Sequence, residues 1–235
     1  MSIAATTTFN MSVTQMITRA YNILGKGDEG EDISTRMYDD GLETMNLLIK
    51  TWQAQNHLWT RTEGSLTLVA GQAAYALADP QPIRVLSVRR SLSSIDTPLN
   101  ELSRQEYFDQ PNKTLNPSTP VSFYFDPQVS SGTLYLWPAP STDFVSASTV
   151  TMTYLRRMAD FLATTDNLDA PQEWLQTIIW NLANDLETQY PVNDARLAVK
   201  IERKAALLYQ ALTGWDNEPA SLYMQPDFQS LSAYP

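Results

Sequence analysis

Apolar residues near the end of the chain recur at intervals of three and four positions, in two segments separated by a proline. The first segment follows Asp169, which can cap a helix, and stops at Pro191; the second follows Asp194 and reaches Gly214, which we expect to end it. Because proline cannot continue a helical hydrogen-bond ladder, this pattern predicts an antiparallel helical hairpin over residues 170–214. The two apolar stripes are Leu175, Ile178, Ile179, Leu182, Ala183, Leu186 and Tyr190, then Leu197, Ile201, Ala205, Leu208 and Leu212.

The start of the chain predicts two more amphipathic helices, which can cover this hairpin. Ser12 opens the first with capping-box spacing, Gly25 closes it, and the second starts near Ser34. We therefore predict an antiparallel four-helix bundle built from residues 12–58 and 170–214. The stripes that would face the hairpin are Val13, Met16, Ile17, Ala20, Tyr21 and Leu24, then Tyr38, Leu42, Met45, Ile49 and Trp52.

Between the helical segments the apolar period shortens towards two, which is typical of β-strands. The sequence predicts a small antiparallel β subdomain inserted at residues 59–169, with a candidate hairpin that turns at Gly71 between Leu66 and Leu77. Frequent prolines fit strand ends and loops, and the stretch 91–120 shows no regular period. The predicted fold class is therefore α+β. Further strands are predicted at 83–90, 121–125, 133–137 and 149–155.

The two ends of the chain show neither a helical nor a strand period. Residues 1–11 are small and polar, and we expect a flexible arm there. Residues 215–235 combine prolines with scattered aromatic side chains, which indicates an extended C-terminal arm that docks on another surface. The arm residues expected to make these contacts are Trp215, Tyr223, Met224, Phe228 and Tyr234.

Composition narrows the kinds of site that the chain can build. It has no cysteine and one histidine, His57, so disulfides, thiolate nucleophiles and metal sites of several cysteines or histidines are excluded. We expect no cofactor and no metal. The net charge of −10, with 26 acidic and 16 basic residues, favours repulsion of DNA over adhesion. No apolar run is long enough to span a membrane, the N-terminus lacks signal-peptide features, and we expect cytoplasmic synthesis.

A glycine-rich acidic loop at residues 25–32 has two interpretations. Its carboxylates can bind a cation, but the loop lacks the alternating ligands and the distal glutamate of an EF-hand. A solvated turn is therefore the favoured interpretation. The carboxylates are Asp28, Glu29, Glu31 and Asp32.

Several short motifs follow one another in a defined order between residues 12 and 214. They are Tyr38-x3-Leu42-x6-Ile49-x2-Trp52, Gly71-x3-Tyr75-x-Leu77, Pro98-Leu99 with Tyr107, Pro120-Val121-Ser122-Phe123-Tyr124, Leu134-Tyr135-Leu136-Trp137-Pro138-Ala139-Pro140, Met152-Thr153-Tyr154-Leu155-Arg156-Arg157 and Pro171-x2-Trp174. This order resembles that of the head-to-tail adaptor proteins of short-tailed bacteriophages, also called tail accessory or tail tubular proteins.

The resemblance implies a structural virion protein. It implies a ring, usually of twelve copies, beneath the portal protein, with helical bundles side by side around the DNA channel. The β part would face downstream tail proteins, such as the nozzle or tail tube and the tail fibres, and the C-terminal arm would reach the portal or a neighbouring copy. An acidic channel wall lets DNA pass without sequence-specific binding, and the resemblance places the loop at residues 25–32 either at this channel or against a neighbouring subunit.

Three further residues are candidates for the subunit interface. Trp174 and Trp180 are six positions apart, about 120° around a helix, so one of them leaves the apolar stripe, and we expect Trp180 to lie between subunits. Arg156 and Arg157 end a predicted strand, where they can meet carboxylates of a partner. A solvated strand end is equally compatible with this arginine pair.

Paired carboxylates leave one enzymatic alternative open. Glycoside hydrolysis needs two of them, and Glu101 with Glu106 or Glu173 with Asp185 can be proposed for cleavage of peptidoglycan. Nothing in the sequence selects a pair, and an acid in the first turn of a helix, such as Glu173, has a structural role available. A generic protein-binding module is the other alternative. From the resemblance we expect that the protein is not an enzyme.

Overall fold

The computed structural model describes residues 9–27, 33–55, 60–77, 81–114, 117–129, 131–162, 166 and 168–215. Helices and sheets both occur, so the predicted α+β class is confirmed. The helices are α1 Val13–Ile23, α2 Thr35–Gln53, α3 Arg104–Asp109, α4 Thr142–Ala147, α5 Leu175–Glu187 and α6 Ala195–Trp215. The strands are β1 Arg61–Leu66, β2 Ala74–Leu77, β3 Pro82–Leu92, β4 Ile95–Pro98, β5 Asn100–Glu101, β6 Ser122–Asp126, β7 Gly132–Trp137 and β8 Ser148–Arg156.

Helices α1, α2, α5 and α6 share one apolar core, in which α5 is central because it packs on the other three. Ser12 caps α1 in the predicted capping box, and Ser34 caps α2. The predicted stripe of α1 is fully buried, and that of α5 is buried except for Tyr190, which is half-buried. The regular antiparallel four-helix bundle stays a prediction.

Two of the predicted helix ends are wrong. The carboxylate of Asp169 accepts two hydrogen bonds from Arg156 instead of capping a helix, and α5 follows a 3-10 turn, Gln172–Trp174, that has no side-chain cap. Gly214 does not end α6, because the helix continues through it. Gly25, with a φ of 68°, adopts the left-handed conformation that ends a helix, and it follows α1 as predicted.

The segment that leads from β8 to α5 belongs to the helical core. Met158, Phe161 and Leu168 are buried there among the helices. The side chain of Asn46 on α2 donates to the backbone carbonyl of Phe161 at 3.1 Å and accepts from its N–H at 2.9 Å. Gln53 on the same helix donates to the carbonyl of Met158 at 3.2 Å. Side chains of α2 therefore satisfy backbone groups of a segment that has no regular period.

The strands form two four-stranded sheets that share a second apolar core. The first sheet has the order β1-β8-β3-β4 and is antiparallel throughout. The second, β2-β7-β6-β5, is mixed because β5 runs parallel to β6, so the predicted antiparallel arrangement is wrong for that pair. The strand residues of this core are Tyr75, Leu77, Val85, Val88, Phe123, Leu134, Leu136, Val150, Met152 and Tyr154.

The predicted hairpin around Gly71 does not form. β1 pairs with β8 and β2 pairs with β7, so the two strands belong to different sheets. The turn between them carries the chain across: the N–H of Gly71 donates to the carbonyl of Pro140 at 2.8 Å, and the hydroxyl of Tyr75 donates to the carbonyl of Val69 at 3.2 Å. A glycine turn between two segments of alternating polarity occurs in a β-hairpin and also where the chain crosses from one sheet to another. The sequence pattern therefore did not distinguish these two structures.

The stretch 91–120 contains elements that its lack of period concealed. A two-residue turn at Ser93 and Ser94, with φ of 51° and 64°, joins β3 to β4. Helix α3 opens with a complete capping box between Ser103 and Glu106. These elements are short, and each is specified by a turn or a cap rather than by a repeated apolar position.

Candidate assembly surfaces

An apolar groove with a volume of about 790 Å³ lies between the C-terminal half of α1, with the residues that precede this helix, and the N-terminal half of α5. Phe9 is 66% exposed at one wall, and its backbone N–H donates to the side-chain oxygen of Gln172 at 3.0 Å, which joins the two helix starts. Arg19 and Lys204 bring positive charge to this groove, and Glu173 brings negative charge. The apolar lining is formed by Phe9, Met11, Ile23, Leu175, Ile179 and Trp180.

Trp180 lies at the edge of this groove instead of in the core. Trp174 is buried against Trp52, with ring centroids 5.7 Å apart. Trp180 is only half-buried, and the ammonium of Lys204 lies over its ring, 4.1 Å from the centroid. Such a cation over an exposed indole contributes about 0.5–1 kcal/mol. The spacing separates the two tryptophans as predicted, and the role of Trp180 between subunits stays a prediction.

A second, shallower groove of about 450 Å³ lies where α2 meets residues 160–162. Leu47 is 63% exposed there and Leu162 is 86% exposed. Three exposed carboxylates surround these leucines, and one of them, on Asp160, forms an ion pair with Lys50. We name this surface the acidic face. It comprises Asp39, Glu43, Leu47, Asp160 and Leu162.

The outward side of α6 carries the opposite charge. Five of its exposed residues, at positions 196, 199, 200, 203 and 207, are related by spacings of three and four, which places these five on one side of the helix, away from the buried Ile201 and Ala205. Among the described residues no carboxylate forms an ion pair with its three cations. We name this surface the basic face. It comprises Arg196, Val199, Lys200, Arg203 and Leu207.

Helix α3 holds an aromatic cluster against the second sheet that the sequence did not predict. Tyr107 lies 4.9 Å from Tyr135, and Tyr124 stacks on Tyr135 with centroids 5.7 Å apart. Burial raises the pKa of Tyr107. Phe108, 49% exposed, completes the cluster, and the guanidinium of Arg104 lies 5.3 Å from its ring. The cluster closes the outer side of this sheet.

The predicted arginine pair separates in the structure. Arg156 forms a bidentate ion pair with Asp169, and the hydrogen bond to this carboxylate raises the pKa of Arg156. This contact joins the end of β8 to the segment before α5. Arg157 is exposed. A role of either arginine at a subunit interface stays a prediction.

The four candidate hydrolytic carboxylates occupy dissimilar environments. Glu106 accepts from the backbone N–H of Ser103 at 2.7 Å, and this hydrogen bond lowers the pKa of Glu106. Glu101 and Glu173 are exposed, whereas burial raises the pKa of Asp185. Glu106 thus has a structural role as part of the α3 cap.

Several residues that the sequence analysis singled out lie outside the described part of the chain. They are His57, the loop carboxylates Asp28, Glu29, Glu31 and Asp32, and the arm residues Tyr223, Met224, Phe228 and Tyr234. The prediction that Trp215 begins the extended arm is wrong, because Trp215 is the last residue of α6. Within the described ranges, no group of three or more acidic, histidine or cysteine side chains is placed to hold a metal ion. No helix of those ranges has both the length and the apolar character needed to cross a membrane.

Comparison with known proteins confirms the resemblance seen in the sequence. The family model of the SU10 adaptor protein matches residues 11–224, and no curated protein sequence matches the chain. A solved structure, the neck of an empty GTA particle computed with C6 symmetry, is similar at 12% identity and a TM-score of 0.29, over 83% of this chain and 93% of that chain. Because the family match spans nearly the whole chain, the protein belongs to the SU10 adaptor protein family and is a head-to-tail adaptor, a structural component of phage-like virions.

Proposed function

We propose that the protein assembles into a ring of twelve copies beneath the portal protein. The ring extends the DNA channel and provides the attachment platform for downstream tail proteins, the nozzle or tail tube and the tail fibres. Residues 12–58 and 170–214 form an antiparallel four-helix bundle that packs side by side with its neighbours. The β subdomain, residues 59–169, faces the tail. Membership of the adaptor family supports this placement.

The groove beside Trp180 is the observation that carries the proposal of side-by-side assembly. It leaves an apolar lining and a half-exposed tryptophan open to solvent. Exposed apolar surface bounded by polar groups marks interaction sites, and tryptophan is enriched among the residues that dominate binding energies. Such a surface fits a protein whose family function is attachment to other proteins.

The remaining predicted residues have distinct roles in this proposal. Arg156 fixes the end of β8 through Asp169, and the exposed Arg157 beside it contacts a neighbouring copy. The acidic loop at residues 25–32 faces the channel, where its charge repels DNA phosphates and lets the genome pass. The arm at residues 216–235, which follows the last residue of α6, docks on the portal through its aromatic side chains.

Electron microscopy of the protein mixed with its portal tests the proposal. The full chain should form a ring on the portal, while Trp180→Ala, which removes the exposed indole from the groove, should prevent ring formation. Truncation after Trp215 should abolish attachment, because the arm is lost. Phe108→Ala is a matched control, since it removes an exposed aromatic ring from the β region.

The outcomes separate the parts of the proposal. No association of the full chain with the portal contradicts the placement as a whole. Rings that form as readily with Trp180→Ala as with the control contradict the role of the groove. Rings that survive truncation assign portal attachment to the helical part instead of the arm.

A further inference from the structure

We infer that the basic face of α6 in one copy binds the acidic face of α2 in the next copy. The inference rests on the proposed ring and names the two surfaces that hold it together. Both faces are exposed in the single chain, and they lie on different helices that both pack on α5. A second copy of the chain is therefore the partner that each face fits.

Charge is the first reason for this pairing. Each copy carries a net charge of −10, so two copies repel unless the contact reverses the charge locally. The basic face does this with three exposed cations on one side of α6, and the acidic face presents Asp39 and Glu43 one helical turn apart. Complementary charge of this kind orients partners and suppresses other arrangements. The pairing of α6 with α2 thus turns a repulsive approach into an attractive one.

Apolar surface is the second reason. Val199, between Arg196 and Lys200, is 62% exposed, and Leu207, one turn beyond Arg203, is 56% exposed. They lie eight residues apart, about 12 Å along the helix. Leu47 and Leu162 line the shallow groove of the acidic face, into which a helix side of this kind can dock. An apolar centre surrounded by charged groups is the usual anatomy of a protein interface.

The position of the two faces on one chain explains why they suit a ring. A contact between two different surfaces leaves one surface free on each partner, so copies add head to tail until the rotation closes. Lys204, one turn from Lys200 along α6, lies over the ring of Trp180. Trp180 therefore extends the basic side of the same interface towards the groove beside α1.

Charge reversal tests the inference with folded, full-length protein. Asp39→Lys with Glu43→Lys makes the acidic face positive, and Lys200→Glu with Arg203→Glu makes the basic face negative. All four residues are exposed, and lysine and glutamate have similar helix propensities, so circular dichroism should show unchanged folding. Ring formation on the portal should weaken at least about tenfold in each variant, because like charges then face each other.

A chain that carries both pairs of substitutions should form rings again, because its two faces once more have opposite signs. The charge-matched controls are Glu101→Lys with Glu202→Lys, and Lys26→Glu with Arg84→Glu, which change exposed residues outside the two faces. These controls should form rings as the unsubstituted protein does. Rescue by the combined variant distinguishes a direct contact from a general effect of net charge.

Two results would overturn the inference in different ways. If the unsubstituted chain forms rings and both reversed variants do so equally well, the ring stands but these faces do not build it. If the unsubstituted chain forms no ring on the portal, the proposed function fails, and the inference fails with it. Closed two-copy particles in native mass spectrometry, in place of rings, would contradict the head-to-tail form of the contact.

Discussion

The helical core and the β core of this adaptor are specified over different ranges of sequence. Each helix carries its own apolar stripe, so its buried side can be identified from about ten to twenty neighbouring residues. Each strand depends on a partner that can lie far away: Arg61 at the start of β1 pairs with Leu155 in β8. Sequence patterns therefore define the helices of this chain better than they define its sheets.

Among the residues that the structure describes, the two cores share no buried side chain. They are joined by the segment after β8, where α2 binds the backbone of Met158 and Phe161, and by the ion pair between Arg156 and Asp169. Stability of one core can therefore change without an equal change in the other, as long as this connection holds.

The largest expected effects come from cavities in the two cores. Leu182→Ala in α5 and Leu136→Ala in β7 each truncate a fully buried leucine, which should cost about 2–5 kcal/mol. Hydrogen exchange measured separately for helices and strands should show that Leu182→Ala lowers the opening free energy of the helices. Leu136→Ala should do the same for the strands.

Each leucine variant is the control for the other. Equal loss of protection in both regions from either substitution would show that the cores unfold as one unit. That result would contradict their energetic separation.

A smaller effect should appear at Gly41, where α2 packs against Ile17 of α1. A Cβ at Gly41 would lie 2.6 Å from Cγ2 of Ile17, so Gly41→Ala should destabilise the protein by about 1–3 kcal/mol through overpacking.

At Gly214 nothing lies within 4 Å of the added atom. Gly214→Ala should therefore stabilise α6 by about 0.5–1 kcal/mol. Denaturant unfolding measures both, and stabilisation by Gly41→Ala would contradict the close approach.

The ion pair that connects the cores should contribute less. Both side chains are about one-third exposed, so we expect a coupling of about 1 kcal/mol between Arg156 and Asp169. A double-mutant cycle with Arg156→Met and Asp169→Asn, followed by denaturant unfolding, measures it. Additive effects of the two substitutions would show that the pair does not stabilise the connection.

The smallest effect concerns Asp185 on α5. Burial raises the pKa of this carboxyl, so its ionised form destabilises the folded state at neutral pH, and that cost disappears as pH falls through the raised pKa. Asp185→Asn should therefore raise the melting temperature slightly at pH 7 and give no gain below the ordinary aspartate pKa. A gain that is the same at both pH values would contradict the role of ionisation.

The strands show why period alone was insufficient in the β region. In β3, a register shift between Val85 and Ser87 brings Val85 and Val88 into the same core at a spacing of three, which no alternating pattern predicts. The glycine turn at Gly71 was found, but its two flanking strands joined different sheets. Each strand pairs with one of several available strands, and the apolar faces of several strands in this chain have similar composition. Composition therefore does not select the pairing partner.

The candidate surfaces also divide into features that the sequence predicted and features that appear only in the folded chain. Trp180 was identified from its angle to Trp174 on the helix, because that angle is a local property. The acidic face combines residues of α2 with residues 160–162, which only folding brings together. The basic face is one side of α6, and this side points outward only because Ile201 and Ala205, on the other side of the helix, are buried. The aromatic cluster of α3 needs Tyr107 and Tyr135, which meet only in the folded chain.

The sequence by itself determined the four long helices, the buried stripes of α1 and α5, most of the helix caps, the mixed fold class and the adaptor family. These properties follow from local periodicity, from capping chemistry and from the order of short motifs. Tertiary structure alone decided which strands pair, where Asp169 places its carboxylate, and which helix sides remain exposed for other copies. Those outcomes depend on contacts between distant segments, which compete for the same apolar surface and the same hydrogen-bonding groups, and only the folded chain resolves that competition.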